Sequence, residues 1–218
     1  MWEIVRAGGP LMWPIILCSI TGAAIVLERL WTLQDKRVLP QELPERVWQL
    51  IEANQINDKV ITTLEQNSPL GRLLATGLAN RHRSREMLME RLEDTGRHVV
   101  HELERFLNTL GTIAGVSPLL GLLGTVTGLM GSFRAIGGEE LAVQKITGGI
   151  GEALIATMCG LAIAIISLVP FNFFTSKTAR LQFELETAAT NVEVMVNAAR
   201  QKGLETPVYG REGNHNAD

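Results

Sequence analysis

Glu152 is the residue of this 218-residue chain best placed to do chemistry, because it lies alone in a stretch, 146–176, that is otherwise uncharged. A carboxylate at the centre of a bilayer costs about 2.5–3.5 kcal/mol on insertion scales. A carboxyl group taken out of water relieves that cost by binding a proton. A lone acid in an apolar helix is therefore suited to taking up and releasing protons. A second reading is positional: Glu152 falls in the first turns of its helix, near the headgroups, where the helix dipole favours an acid. Both readings stand at this point. Hydroxyls extend the possible chemistry, with Thr157 five residues further on and Thr125 and Thr127 in the stretch 106–133. Thr157 lies about 140° around a helix from Glu152. It can bond its own i−4 carbonyl or line a polar path, and the spacing leaves both open.

The elements that must position these residues follow from the distribution of charge. The chain holds 20 basic and 23 acidic residues, yet the stretches 7–27, 106–133 and 146–176 contain Glu152 and no other charge. Each stretch is near or above the roughly 20 residues that cross a bilayer as a helix. None shows the period-2 alternation of a barrel strand. The expected fold is an all-α integral membrane protein with transmembrane helices over 8–30, 110–134 and 147–174. A signal peptide is the alternative for the first stretch, with Arg6 ahead of it and Gly22, Ala23 and Ala24 as small residues. Pro10, Pro14 and the exit into Glu28-Arg29-Leu30-Trp31 favour a span. This charge distribution excludes a plain soluble globule, a nucleic-acid binder built on a basic face and a disulfide-stapled secreted domain.

Basic residues near the span ends set the orientation. Arg29, Lys36, Arg37, Arg46, Arg91, Arg97, Arg105, Lys177 and Arg180 fall on one side, against Arg6, Arg134 and Lys145 on the other. The N-terminus, 1–7, and the loop 135–146 are therefore expected outside, with 31–109 and 175–203 in the cytoplasm. Trp2, Trp13, Trp31, Phe171, Phe173 and Phe174 fall where an interfacial aromatic belt would hold the helix ends.

The cytoplasmic parts read as helical. Pro44 and Pro69 are first-turn residues, the latter behind Ser68 as N-cap. Leu88, Leu92, Val99, Leu103, Phe106 and Leu110 share one helical face, which predicts a single helix from about 85 to 134 with Pro118 as the site for a kink. Leu181, Leu185, Ala188, Val192, Met195 and Ala199 form a heptad-like stripe. Packing against the helix from 85 and packing in a multi-subunit bundle would each cover it. The tail 204–218 reads as disordered.

The second span carries Ser117, Gly121, Gly124, Gly128 and Gly131 at spacings of 4, 3, 4 and 3, a seam that lets another helix approach closely. Cys18 and Cys159 lie inside spans and read as small packing residues. The four histidines form no cluster at metal-ligand spacing, so neither a metal nor a cofactor is expected. No phosphate loop, nucleophile elbow or HExxH is present, so an enzyme is not expected. No inverted repeat of the transporter kind appears.

Two stretches carry a resemblance. Gly121-Leu-Leu-Gly-Thr-Val-Thr-Gly-Leu-Met-Gly-Ser-Phe133 and Gly149-Ile-Gly-Glu-Ala-Leu-Ile-Ala-Thr157 resemble the second- and third-span motifs of the MotA/TolQ/ExbB proton-channel family. The stretch Gly9–Ser19 and the Glu28-Arg29 pair resemble the ExbB branch, and the likeness covers about residues 1–203. It implies a homopentamer in the bacterial inner membrane, whose second and third spans line a pore. The pore would hold two copies of an ExbD-like single-span partner bearing a membrane aspartate. Proton flow would drive that partner, and a TonB-like protein would pass the energy to outer-membrane transport such as iron uptake. The resemblance assigns Glu152 as the pore-facing acid and Thr125 and Thr157 as hydroxyls on the proton path. Gly148-Gly149 stands where Pro-Gly is frequent in the family, and Thr127 where Trp is frequent. A TolQ-like subunit powering outer-membrane constriction is the alternative branch, and a passive membrane scaffold the alternative class.

Overall fold

The structure is a computed structural model that describes residues 9, 11–53, 55–134 and 142–201, with side chains in the last segment from 147 onward. The N-terminus 1–7 expected outside, residues 135–141 of the expected loop and the tail 204–218 lie outside the described residues. Among the described residues every regular element is a helix. In chain order these are α1 (Met12–Thr32), α2 (Asp35–Val38), α3 (Leu43–Glu52), α4 (Asp58–Asn67), α5 (Pro69–Ala79), α6 (Arg85–Glu104), α7 (Leu107–Arg134) and α8 (Ala142–Gln201). Among the described residues three helical stretches are long and apolar enough to cross a membrane: Met12–Thr32, Arg85–Phe133 and Thr147–Gln201. The last helix begins at Ala142, inside the segment expected as a loop.

The chain forms two compact units. The first, Met1–Leu33 with Glu104–Thr178, holds α1, α7 and the first part of α8. One face of α1 is buried through Met12, Ile15, Gly22, Ile25 and Arg29. Gly22 lies at the meeting of all three helices, since a Cβ there would come within 3.2 Å of Ser167 Oγ and 3.7 Å of Ile113 Cγ2. The outer faces are strongly apolar, with Trp13, Leu17, Ile20, Leu27, Leu119, Leu122, Leu154, Ile165, Ile166 and Val169 exposed. Such a surface is at home in lipid and would be costly in water.

The expected single helix from 85 to 134 is broken. It stops at Glu104 and restarts at Leu107, across a two-residue turn. Phe106 adopts φ +64°, a left-handed conformation that costs a non-glycine residue roughly 1–2 kcal/mol. Cationic groups gather on its ring: the Arg105 guanidinium carbon lies 4.6 Å from the centroid and that of Arg29 lies 5.6 Å away. Arg29 is 2% exposed and pairs through Nε with Glu28 Oε2 at 2.8 Å. Cation–π attraction of about 0.5–2 kcal/mol per contact is of the size needed to offset the left-handed turn. Pro118, the expected weak point, stays inside α7. A proline inside a membrane helix is tolerated because neighbouring helices and polar side chains satisfy the freed backbone groups.

The second unit, Gln34–Leu103 with Ala179–Asp218, is an ordinary apolar core. Helix α5 is its centre, with Leu70, Leu73, Leu74, Ala75 and Leu78 buried. Ser68 opens that helix by accepting the Gly71 N–H at 3.0 Å, and Pro69 occupies the first turn. Gly77 sits against Val192, whose Cγ1 would overlap a Cβ there. Leu88, Leu92, Val99 and Leu103 of α6 are buried, as are Leu181, Leu185, Val192 and Val196 of α8. Of the expected stripe on α8, Leu181, Leu185 and Val192 are buried, Ala188, Met195 and Ala199 are half-buried, and Val196 is buried beside them. The stripe is covered within the chain. Arg85 Nε meets the buried Glu193 carboxylate at 2.8 Å, Asn197 Nδ2 donates to the same oxygen at 2.6 Å, and Arg200 Nε donates to the Arg81 carbonyl at 2.7 Å.

Ser68→Ala removes the cap of the central helix. We expect it to lower the stability of this unit by about 1 kcal/mol, read as an earlier thermal transition of the purified protein in detergent.

Candidate functional site

The site is built on the close approach of α7 and α8. In lipid there is little hydrophobic drive between helices, so van der Waals packing and interhelical hydrogen bonds decide which faces meet. The small residues of the second span face the third span of the same chain. A Cβ on Gly121 would lie 3.0 Å from Thr157 Cα, one on Gly124 would lie 2.5 Å from Ala156 Cβ, and one on Gly128 would lie 2.8 Å from the Gly149 carbonyl oxygen. From the other side, a Cβ on Gly160 would lie 2.6 Å from the Ser117 carbonyl oxygen. Ser117 is fully buried and donates its hydroxyl to the Ile113 carbonyl at 2.7 Å. Gly131, the last residue of the stripe, adds nothing to the contact, since a Cβ there would meet no atom within 4 Å.

Thr157 does not turn back on its own i−4 carbonyl. Its hydroxyl donates to the Gly121 carbonyl at 2.9 Å, a bond between α8 and α7. Thr125 turns back on its own helix and donates to the Leu122 carbonyl at 2.7 Å. Thr127 does the same toward the Leu123 and Gly124 carbonyls, at 3.0 and 3.1 Å. Glu152 is half-buried one residue before Ala153, which packs on Gly128. Its carboxylate lies against the backbone of Gly9, where a Cβ would overlap Oε1 and come within 2.8 Å of Cδ. None of Glu152, Thr125 and Thr157 hydrogen-bonds to either of the others among the described residues.

Two participants are not marked by sequence reasoning. Gly9 stands out in the sequence only as part of a first-span motif, and its contact with an acid 143 positions away has no local signal. Arg29 counts there toward orientation, the span exit and the Glu28-Arg29 resemblance, and its contact with the Phe106 ring has no local signal. Cys18 and Cys159 are both free thiols. Among the described residues no three His, Cys, Asp or Glu side chains gather as a metal site.

Fold and site together define a multi-pass helical membrane protein whose two glycine-seamed spans carry one acid between them. Residues 65–187, more than half of the chain, match the model of the MotA/TolQ/ExbB proton channel family. Biopolymer transport protein ExbB-like 1 of Synechocystis sp. is 34% identical over 178 residues, covering 78% of this chain and 68% of that protein. ExbB-like 3 of the same organism is 34% identical over 184 residues, covering 82% and 86%. The Tol-Pal system protein TolQ of Pseudomonas aeruginosa is 24% identical over 213 residues, covering 90% and 92%. The chain belongs to the MotA/TolQ/ExbB proton channel family.

The seam makes a discriminating pair of substitutions. Gly124→Leu drives a side chain into Ala156 and should destabilise the packing of the spans by about 1–3 kcal/mol. Gly131→Ala should leave it unchanged. Thermal unfolding in detergent of the two variants beside the parent checks the contrast.

Proposed function

We propose that the chain is the ExbB-like subunit of a proton-driven motor that, with an ExbD-like single-span partner, energises outer-membrane transport through a TonB-like protein. The observation that carries the reading is the placement of Glu152, an acid in an otherwise uncharged span, on one of two helices packed backbone to backbone. Family membership supplies the class. In this reading five copies surround a pore lined by the second and third spans, and two copies of the partner occupy it. The apolar outer faces contact lipid and neighbouring subunits. The protein is multi-pass in the bacterial inner membrane, with the N-terminus on the periplasmic side and the C-terminus in the cytoplasm.

Glu152 is the proton-carrying group of this reading. Its carboxylate takes a proton from one side, loses its charge and its desolvation cost, and releases the proton when the partner's aspartate or water reaches it. Thr157 and Thr125 flank the path. Both hydroxyls hold carbonyls as donors, Thr157 across the helix pair and Thr125 within its helix, which leaves their oxygens able to accept from water or a protonated group.

The match to TolQ over nearly the whole length of both chains supports a second reading, in which the same motor works in a Tol-Pal-type system. A passive scaffold would use the same seams for packing alone.

Glu152→Ala is expected to abolish energised uptake in cells that depend on this chain, with the pentamer still seen by native mass spectrometry. Unchanged uptake would make Glu152 a packing residue and refute the motor. In proteoliposomes the complex should show proton flux that depends on the single-span partner, whereas a scaffold shows none.

A further inference from the structure

The head of the first span meets the acid of the third. Gly9 has φ +70°, a conformation that L side chains rarely adopt and glycine adopts freely. Its carbonyl accepts the Met12 N–H at 3.1 Å, which makes it the opening residue of the turn that starts α1. That turn is anchored, because Met12 and Ile15 are 4% and 1% exposed. The Glu152 carboxylate rests on this turn: a Cβ at position 9 would overlap Oε1, lie 2.8 Å from Cδ and lie 3.4 Å from Cγ. Two separate requirements thus fall on one residue. The backbone favours glycine for its dihedral angle, and the carboxylate occupies the space that a side chain would fill, so a side chain there displaces it.

We propose that Gly9 is a positioning residue for Glu152, and that the side-chain-free backbone at the head of the first span forms one wall of the acid's site. The proposal rests on the reading of Glu152 as the proton-carrying group, and it adds the first span to a site otherwise made by the second and third. A methyl group at position 9 pushes the carboxylate off this wall and changes its surroundings, hence its proton affinity, while the helix seam is untouched.

The test uses the full chain in native membranes and a hydrophobic carbodiimide, which modifies protonated carboxyl groups in apolar surroundings. Modification of Glu152 is followed against pH by mass spectrometry. In Gly9→Ala the pH of half-maximal labelling should move by about half a unit or more, about a threefold change in the protonation equilibrium. Gly148→Ala, whose added methyl meets no atom within 4 Å, should label like the parent. In a Glu152→Asp background, where the shorter side chain removes the overlap, Gly9→Ala should have no further effect on labelling at position 152. A Gly9→Ala profile equal to the parent's, or an equal shift in both backgrounds, overturns the proposal. An independent measurement covers a variant that fails to insert. In a chain with Cys18→Ser and Cys159→Ser, Gly9→Cys with Glu152→Cys should form an intramolecular disulfide on mild oxidation. Failure of that bond to form overturns the proposal as well. Labelling and cross-linking read the surroundings of position 152 whether or not it carries protons, so their failure is distinct from survival of uptake in Glu152→Ala.

Discussion

The absence of side chains along one line of the second span is the constraint on which the membrane-spanning unit depends. Gly121, Gly124 and Gly128 bring the backbone of α7 onto Thr157, Ala156, Ala153 and Gly149 of α8. At that separation dispersion contacts are dense and the Thr157 hydroxyl reaches across to a carbonyl. Lipid tails compete with leucine side chains on equal terms, so bulky residues would give the two spans little reason to choose each other. Small residues do, because the contact they permit is one that lipid cannot match. The first span then joins at Gly22, between Ser167 and Ile113. The position of Glu152 follows from this register, one residue from a contact that holds α8 in place.

The second unit is held by different physics. Helix α5 at its centre is capped by Ser68, and burial of Leu70, Leu73, Leu74, Leu88, Leu92, Leu181 and Leu185 supplies the drive that water provides and lipid does not. Polar contacts tie the unit together across long stretches of chain: Arg85 and Asn197 satisfy the buried Glu193, Arg72 pairs with Glu102, and Arg200 donates to the Arg81 carbonyl. One chain therefore uses two packing rules, matched to the two solvents that its charge distribution implies.

Features whose cause is local could be read in advance. The spans follow from runs without charge, the cap at Ser68-Pro69 from two adjacent residues, and the seam from a 4, 3, 4, 3 spacing. Features whose cause is distant could not. The break at Phe106 has neither glycine nor proline to announce it, and Arg29, 77 positions earlier, is part of what holds it. The contact of Gly9 with Glu152 joins residues 143 positions apart. The Thr157 hydroxyl goes to the Gly121 carbonyl of the neighbouring helix, an acceptor that the spacing around Thr157 does not name. The stripe on α8 was legible in Leu181, Leu185 and Val192, whereas Ala188, Met195 and Ala199 are half-buried and Val196 is buried, because the surrounding helices, and not a heptad, define the face.

The seam also sets what genetics can repair. Gly124 faces the Cβ of Ala156, so an added methyl on one helix has a methyl on the other that can be given up in exchange. Gly128 faces the carbonyl oxygen of Gly149 as well as a side chain, and Gly121 faces the backbone of residues 156 and 157. A carbonyl oxygen cannot be mutated away. Compensatory changes for lesions at Gly124 have a partner site within the same chain, whereas lesions at Gly121 and Gly128 have no equivalent partner, so suppressors of the latter must shift the helices themselves.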